Sequence, residues 1–386
     1  MRAAEPVGMR MGLVLTGGGA RGAYQAGALL AIAEVTHARE LPFPVLAGSS
    51  AGSINAVYLA TRADDFAGAT RGLGDLWTTL EPRRVFRTDV PALTRTAAAW
   101  VADLGLGGII GGGRGKALLE TDPLLELLRH HIDGTALARN IERGRVRGVG
   151  VTATNYDTGL AMTFFQGSPD LKPWIRVTRG GVRANLEVAH VLASSAIPLF
   201  FPAVCIGGDW YADGSIRLST PLSPAIHMGA DRIVAIAVRP EGPVQVPETA
   251  HSGSQHHYPT PAEAGAVMLD ALFLDALESD VERTLRINRT LQFLSPDAIA
   301  RHVVPLRNVD LLVLRPSRDP CELVLRAVER FPAALRYLFR GLGATSEAGW
   351  DLLSYLAFDG EYTTRLFQLG YEDTLARAPE VAAFLE

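Results

Sequence analysis

Lysine is nearly absent from this chain: Lys116 and Lys172 are the only two in 386 residues, and arginine supplies the remaining positive side chains. The formal net charge is −4, so no general attraction to nucleic acid is expected. Cysteine is as scarce. Cys205 and Cys321 stand far apart in no metal-like spacing, which argues against a disulfide framework and fits a reducing compartment. Long apolar runs are missing too. No stretch reaches the roughly 18 uninterrupted apolar residues of a membrane span, and the nearest, residues 97–110, is interrupted by Asp103 and rich in glycine. Residues 1–10 lack the plan of a signal peptide. The expectation is a cytoplasmic protein, free or peripheral at a membrane. There is no internal repeat. Hydrophobic residues at 48% and charged residues at 20% exclude wholesale disorder, and the length suits one large domain or two.

What is present is organised around residues 44–56. Residues 45–47 read as a buried strand that runs into Gly48-Ser49-Ser50-Ala51-Gly52 and then into a helix. In a G-x-S-x-G turn of this kind the central residue takes a strained backbone, and small neighbours avoid collision. The Ser50 hydroxyl is then held at a helix N-terminus, where free N–H groups and the dipole favour negative charge. A Ser/Gly turn without chemistry is the competing reading of this motif alone.

Residues 11–16 form a strand-type run that ends in Gly17-Gly18-Gly19-Ala20-Arg21-Gly22, and a helical pattern follows through Val35. Strand, glycine loop, helix, strand, elbow, helix opens a parallel α/β sheet. Gly17-x-Gly19-x-x-Gly22 also fits a dinucleotide fingerprint. Its second strand, however, closes on Gly48 rather than on an acidic residue, and Glu40 falls before that strand, which disfavours a nucleotide. Adjacent parallel strands place their C-terminal loops side by side. The amides of Gly17, Gly18 and Gly19 can therefore converge near Ser50 as an oxyanion hole. Arg21 reads either as a solvated helix-start residue or, with Gly22, as support for the loop or for an anion near it.

Further along, residues 64–80 read as a helix, Thr121-Asp122-Pro123 starts another through His131, and residues 146–154 and 160–166 read as a strand pair. A helix is expected over 187–196, two short strands around Gly207-Gly208, and a buried strand over 233–238. Residues 90–104 suit an amphipathic helix, followed by a glycine-rich stretch to Gly115. The segment 85–119 is either a lid or membrane-facing flap, or a surface excursion packed on the core. Residues 241–262, rich in Pro, Gly, Ser and His, read as a mobile loop. The remainder is mostly helical by period, with one strand candidate at 310–314.

Ser50 needs a base, and no histidine has a convincing setting. His227 falls on a short helix; His251, His256 and His257 fall in the loop. Asp213 closes an apolar strand before Gly214. A partly desolvated carboxylate there has a raised pKa and can take a proton from a hydroxyl at short range. A turn-capping aspartate is the competing reading.

Residues 17–22, residues 48–52 and Asp213-Gly214 together resemble the patatin-like phospholipases, as does the block Ala193-Ser-Ser-Ala-Ile-Pro-Leu-Phe-Phe-Pro202. The resemblance spans roughly residues 11–240. It implies a three-layer α/β/α fold with a mostly parallel central sheet and a helical C-terminal region. The organisation expected from it is a catalytic domain over 11–240, a linker over 241–262 and a helical region over 263–386 packed on the catalytic domain. The resemblance further implies Ser50 as nucleophile, Asp213 as its base in a dyad, and the Gly17–Gly19 amides as oxyanion hole. The implied activity is acyl hydrolysis of phospholipids or other esters, with no metal and no cofactor. One departure is Ser215, where the family usually has Gly or Ala. An α/β-hydrolase with a Ser-His-Asp triad would place its serine later and a histidine near the C-terminus. A catalytically silent lipid-binding protein on the same fold is opposed by the intact Ser50, Asp213 and glycines.

Overall fold

The computed structural model describes residues 10–110, 116–240, 260–273, 275–295, 306–324, 327–344 and 350–386. Among them, ten strands form one sheet. Five run parallel in the order β10 (Asp310–Leu314), β9 (Arg232–Ile236), β1 (Met11–Leu15), β2 (Val45–Ser49) and β3 (Gly148–Asn155). β4 (Ala161–Gly167) returns antiparallel to β3, and β6 (Arg179–Arg183) and β5 (Trp174–Ile175) complete that edge. The hairpin of β7 (Val204–Ile206) and β8 (Asp209–Asp213) lies antiparallel against the end of β3, with Asp213 opposite Ala153.

Alternation along the central strands divides their side chains between two cores. Leu13, Leu15, Leu46, Val234 and Ile236 enter one; Val14, Val45, Ala47, Ile233 and Ala235 enter the other. Helices α1 (Gly22–Thr36), α2 (Ala51–Thr61) and α3 (Phe66–Thr78) cover the first face. Beyond them come α4 (Val90–Ile110), α5 (Asp122–His131), α6 (Gly134–Glu142) and α7 (Val188–Ser194). The second face is covered by α8 (Ser223–His227) and the helix Asp275–Leu291, through Ala225, Leu277 and Val281. Helix, sheet, helix is the three-layer arrangement.

The chain after residue 260 contributes to both the sheet and its cover. β10 is an edge strand in register with β9 from Asp310↔Arg232 to Leu314↔Ile236. The helix Gly360–Ala376 packs so closely on α1 that a Cβ on Gly27 would fall 1.8 Å from the Phe367 carbonyl oxygen. Where sequence and structure differ, local causes are visible. The β5–β6 pair was not expected, because β6 carries Gly180-Gly181 and glycine is a poor strand former. α4 continues past residue 104 to Ile110; a glycine costs about 1 kcal/mol in a helix, which an established helix can absorb. Of the proposed flap, residues 111–115 lie outside the described residues, as do residues 241–259 of the expected loop. Among the described residues no helix is long and apolar enough to cross a membrane.

Candidate active site

β2 ends at Ser49 and α2 begins at Ala51, which leaves Ser50 as the turn. Its backbone sits at φ 52° and ψ −131°, a region that costs a non-glycine residue about 1–3 kcal/mol. Main-chain crowding holds it there. A Cβ on Gly48 would lie 2.4 Å from the Gly52 carbonyl oxygen, and one on Gly52 would lie 2.1 Å from that of Leu15, the last residue of β1. No larger residue fits either place. The Ser50 N–H donates to Ser194 Oγ at 3.0 Å, and Ser194 Oγ donates to the Thr152 carbonyl at 2.6 Å. Ser53 Oγ donates to the Ser50 carbonyl at 2.6 Å, and Ser49 Oγ meets Ser215 Oγ at 3.3 Å. Ser50 is buried.

Asp213 is buried completely and pinned by its own backbone. Its N–H donates to the Ala196 carbonyl at 2.9 Å, and its carbonyl accepts from Thr154 Oγ1 at 2.9 Å. On the carboxylate, Oδ1 accepts from the Ser215 N–H at 2.9 Å, whereas Oδ2 has no hydrogen-bond partner. Burial pushes the pKa up to about 7, against the lowering effect of the Ser50 hydroxyl and of Ser215. The Ser50 hydroxyl thus favours the ionised carboxylate, yet makes no hydrogen bond of normal length and angle to Oδ2.

The glycine loop stands beside the elbow. Gly19–Arg21 forms a single 3-10 turn closed by the Arg21 N–H on the Gly18 carbonyl at 3.1 Å. Among the described residues, the amides of Gly17, Gly18 and Gly19 donate to no protein acceptor. Gly22 is pressed against Ala51, where an added Cβ would come within 2.7 Å of the alanine's own. Arg21 is not a solvated helix-start residue: its side chain is 2% exposed. Its Nε and Nη2 donate to Ser354 Oγ at 2.9 and 2.6 Å, and Nη2 lies 3.4 Å from Asp351. The guanidinium also stacks on Tyr355, 4.1 Å from the ring centre. It does not line the cleft above Ser50.

That cleft is narrow, with about 40 Å³ free, and its walls are apolar. Gly19 and Ser50 line it, together with Tyr58, Trp77, Leu124, Leu128 and Phe201 among others. Trp77 is oriented by its Nε1, which donates to Asn55 Oδ1 at 2.8 Å. Two of the histidines are committed elsewhere. His190 Nδ1 accepts the Glu187 N–H at 3.1 Å, and His227 stacks on Trp174 at 4.7 Å. His131 does line the cleft, with a pKa lowered by burial and by neighbouring cations. His251, His256, His257 and His302 lie outside the described residues. The anchors Ser194, Thr152 and Thr154 were missed by sequence reasoning. The block at residues 193–202 marked the region, but nothing in it shows that Ser194 reaches an amide 144 residues away.

A family model, "Patatin-like phospholipase", matches residues 13–226, more than half of the chain. No curated protein matches the chain in sequence. Among solved structures, VipD from Legionella pneumophila is similar at 13% identity and a TM-score of 0.36, over 97% of this chain and 67% of that one. Human GIVD cytosolic phospholipase A2, in complex with methyl gamma-linolenyl fluorophosphonate, is similar at 12% identity and a TM-score of 0.44, over 98% of this chain. The chain spans 58% of the length of that human protein. With its glycine loop, serine elbow and buried aspartate carried on the matched segment, the chain belongs to the patatin-like phospholipase family, a family of lipid acyl hydrolases.

Proposed function

We propose that this protein hydrolyses carboxylic esters of lipids by transferring the acyl group to Ser50, with Asp213 as the base. The observation that carries this reading is one pairing. A strained, buried serine faces a buried carboxylate whose pKa burial has pushed up to about 7 and whose Oδ2 is unpartnered. In the first step Ser50 Oγ attacks the ester carbonyl carbon and its proton passes to Asp213 Oδ2. The oxyanion that forms is received by the free amides of the Gly17–Gly19 loop, donors that gain strength in a dry site. Collapse breaks the ester C–O bond, and the alcohol leaves with the proton from Asp213. Water then attacks the acyl-serine with the same carboxylate as base, releasing the acid. The apolar cleft beside Ser50 suits the acyl chain of such a substrate, and a lipid substrate implies contact with a membrane surface.

The test joins turnover to labelling. A panel of phospholipids and short p-nitrophenyl esters is assayed, and an alkyl fluorophosphonate is used to trap the nucleophile for mass spectrometry. Ester turnover with a single adduct on the Ser50 peptide is expected. A folded protein that neither turns over an ester nor labels at Ser50 would instead be a silent lipid-binding member of the family.

A further inference from the structure

On the second face of the sheet, between α8 and the helix Asp275–Leu291, lies a cleft of about 370 Å³ that shares no lining residue with the cleft at Ser50. Arg176, Arg179, Arg283 and Arg307 line it, and Asp280 is its one carboxylate. No ion pair within 4 Å involves any of these arginines among the described residues. Three of them bond to neutral oxygens instead. Arg176 donates to the Ile175 carbonyl at 2.9 Å, Arg179 to Ser223 Oγ at 3.1 Å, and Arg307 to the Ala230 carbonyl at 2.9 Å. The Asp280 carboxylate is engaged by the Leu222 N–H at 2.9 Å. His227 is neutral there, its pKa pushed down to about 4 by burial and by Arg176, Arg179 and Arg307.

Four cations against one anion is a costly grouping for a merely structural surface, because like charges brought together repel one another. Arg179 feels it directly: burial and the neighbouring Arg283 both lower its pKa. A second observation points to a missing acceptor. Thr220 lines the same cleft, is 4% exposed, and its hydroxyl has no partner. We propose that this cleft binds a phosphoryl anion, held by the guanidinium groups of Arg176, Arg179 and Arg283 and by the Thr220 hydroxyl. Guanidinium matches phosphate oxygens in paired, charge-assisted bonds. The excess of positive charge favours a doubly charged phosphomonoester or a diphosphate over a singly charged diester. The anion is borne by a lipid headgroup or by a free phosphate compound. One feature favours the lipid: Ile175 and Val177, 73% and 94% exposed, flank Arg176 on the β5–β6 turn, placed to enter a bilayer beside the headgroup.

The 386-residue chain is titrated with inorganic pyrophosphate by calorimetry and sedimented with phosphatidylcholine vesicles with and without phosphatidic acid. Saturable binding is expected with pyrophosphate and with the acid-containing vesicles. The double variant Arg176→Gln/Arg283→Gln, both at exposed positions, should weaken each by about tenfold or more. Its melting temperature and its hydrolysis of a soluble ester should stay unchanged, which separates this site from the chemistry at Ser50. Val177→Asp should impair vesicle binding alone if the anion is lipid-borne; pyrophosphate binding without vesicle binding assigns the cleft to a free phosphate compound. The proposal is overturned if neither probe binds, or if the folded double variant binds both as tightly as the parent.

Discussion

Two loops meet at the carboxyl ends of β1 and β2, and they are held by different means. The elbow at Ser50 is fixed from nearby: Gly48 and Gly52 admit no side chain, and Ser53 ties the Ser50 carbonyl. The glycine loop is fixed from afar. Its Arg21 is anchored on Ser354, 333 residues further along, and on Tyr355 and Asp351. All three anchors lie beyond the segment 13–226 that the family model matches. The strain at Ser50 is thus written into a few adjacent residues, while the position of the proposed oxyanion donors depends on the C-terminal helices. A fragment ending near residue 226 would keep the first and lose the second, along with strands β9 and β10.

The largest effect expected at the elbow comes from its partner carboxylate. Asp213→Asn should lower kcat by about 10⁴-fold, the scale seen when a base's support is removed from a serine nucleophile. The same variant should alter stability in the opposite sense. Burial raises the Asp213 pKa from 3.8 to about 7, so the native state tolerates the protonated form better than the ionised one. That contribution is complete below pH 4 and is lost as pH rises through about 7. The asparagine variant should therefore melt higher than the parent at pH 9, and the gap should close towards pH 4. If Asp213 is the base, the parent's activity should rise with pH through the same region as its carboxyl ionises. An asparagine variant that melts lower than the parent at pH 9 would remove the raised pKa from the account.

On the distant side of the comparison, Arg21→Met should cost about 3 kcal/mol of unfolding free energy, the scale of lost hydrogen bonds from a charged group together with a lost cation–ring contact. Asp351 is half-exposed and contributes little of it; most comes from the bonds to Ser354 and the stacking on Tyr355. Arg21→Lys should recover only part, since an ammonium cannot donate to Ser354 and lie flat on a ring at once. Denaturant midpoints measure both variants. A change below about 0.5 kcal/mol for the methionine variant would mean the loop is held locally, like the elbow.

Between these lies Gly18. A Cβ there would come 2.7 Å from Val238 Cγ2, so in Gly18→Ala the loop or the Val238 side chain must shift. If the loop amides receive the oxyanion, kcat should fall by about 10²-fold with KM little changed. Val238→Ala added to it relieves the clash and should restore most of the loss. A folded Gly18→Ala variant with unchanged kcat would show that the Gly18 amide is not a donor to the transition state.

The same contrast explains what could be read from the sequence. Strands β1, β2, β3, β4 and β9 were legible as apolar runs, and the turn at Ser50 as small residues around a serine, because each signal is local. β6 was hidden by its Gly180-Gly181 pair. The burial of Arg21 was not legible at all: an arginine opening a helix looks solvated until Ser354 and Tyr355 are brought to it. Asp213 stood out only as an acid closing an apolar strand. Its depth, which sets its pKa, comes from contacts with Ala196 and Thr154 that no spacing reveals.

The smallest effect tests whether the elbow is as self-contained as described. Ser194 is the distant anchor of the Ser50 amide, accepting from its N–H and donating to the Thr152 carbonyl. Ser194→Ala leaves that buried amide without a partner, at a cost of about 1–3 kcal/mol. The crowding of Gly48 and Gly52 is untouched by the change, and so is the bond from Ser53 to the Ser50 carbonyl. The strained φ of Ser50 should therefore persist, with the hydroxyl moving only slightly relative to Asp213. Expected is a lower melting temperature and a loss of kcat no greater than about tenfold, with KM unchanged. Fluorophosphonate labelling at Ser50 should continue at a comparably reduced rate. A loss of kcat approaching that of Asp213→Asn would mean that Ser194 sets the serine's geometry. In that case both loops are positioned from a distance, and the crowded glycines only permit the turn that α7 and β3 impose.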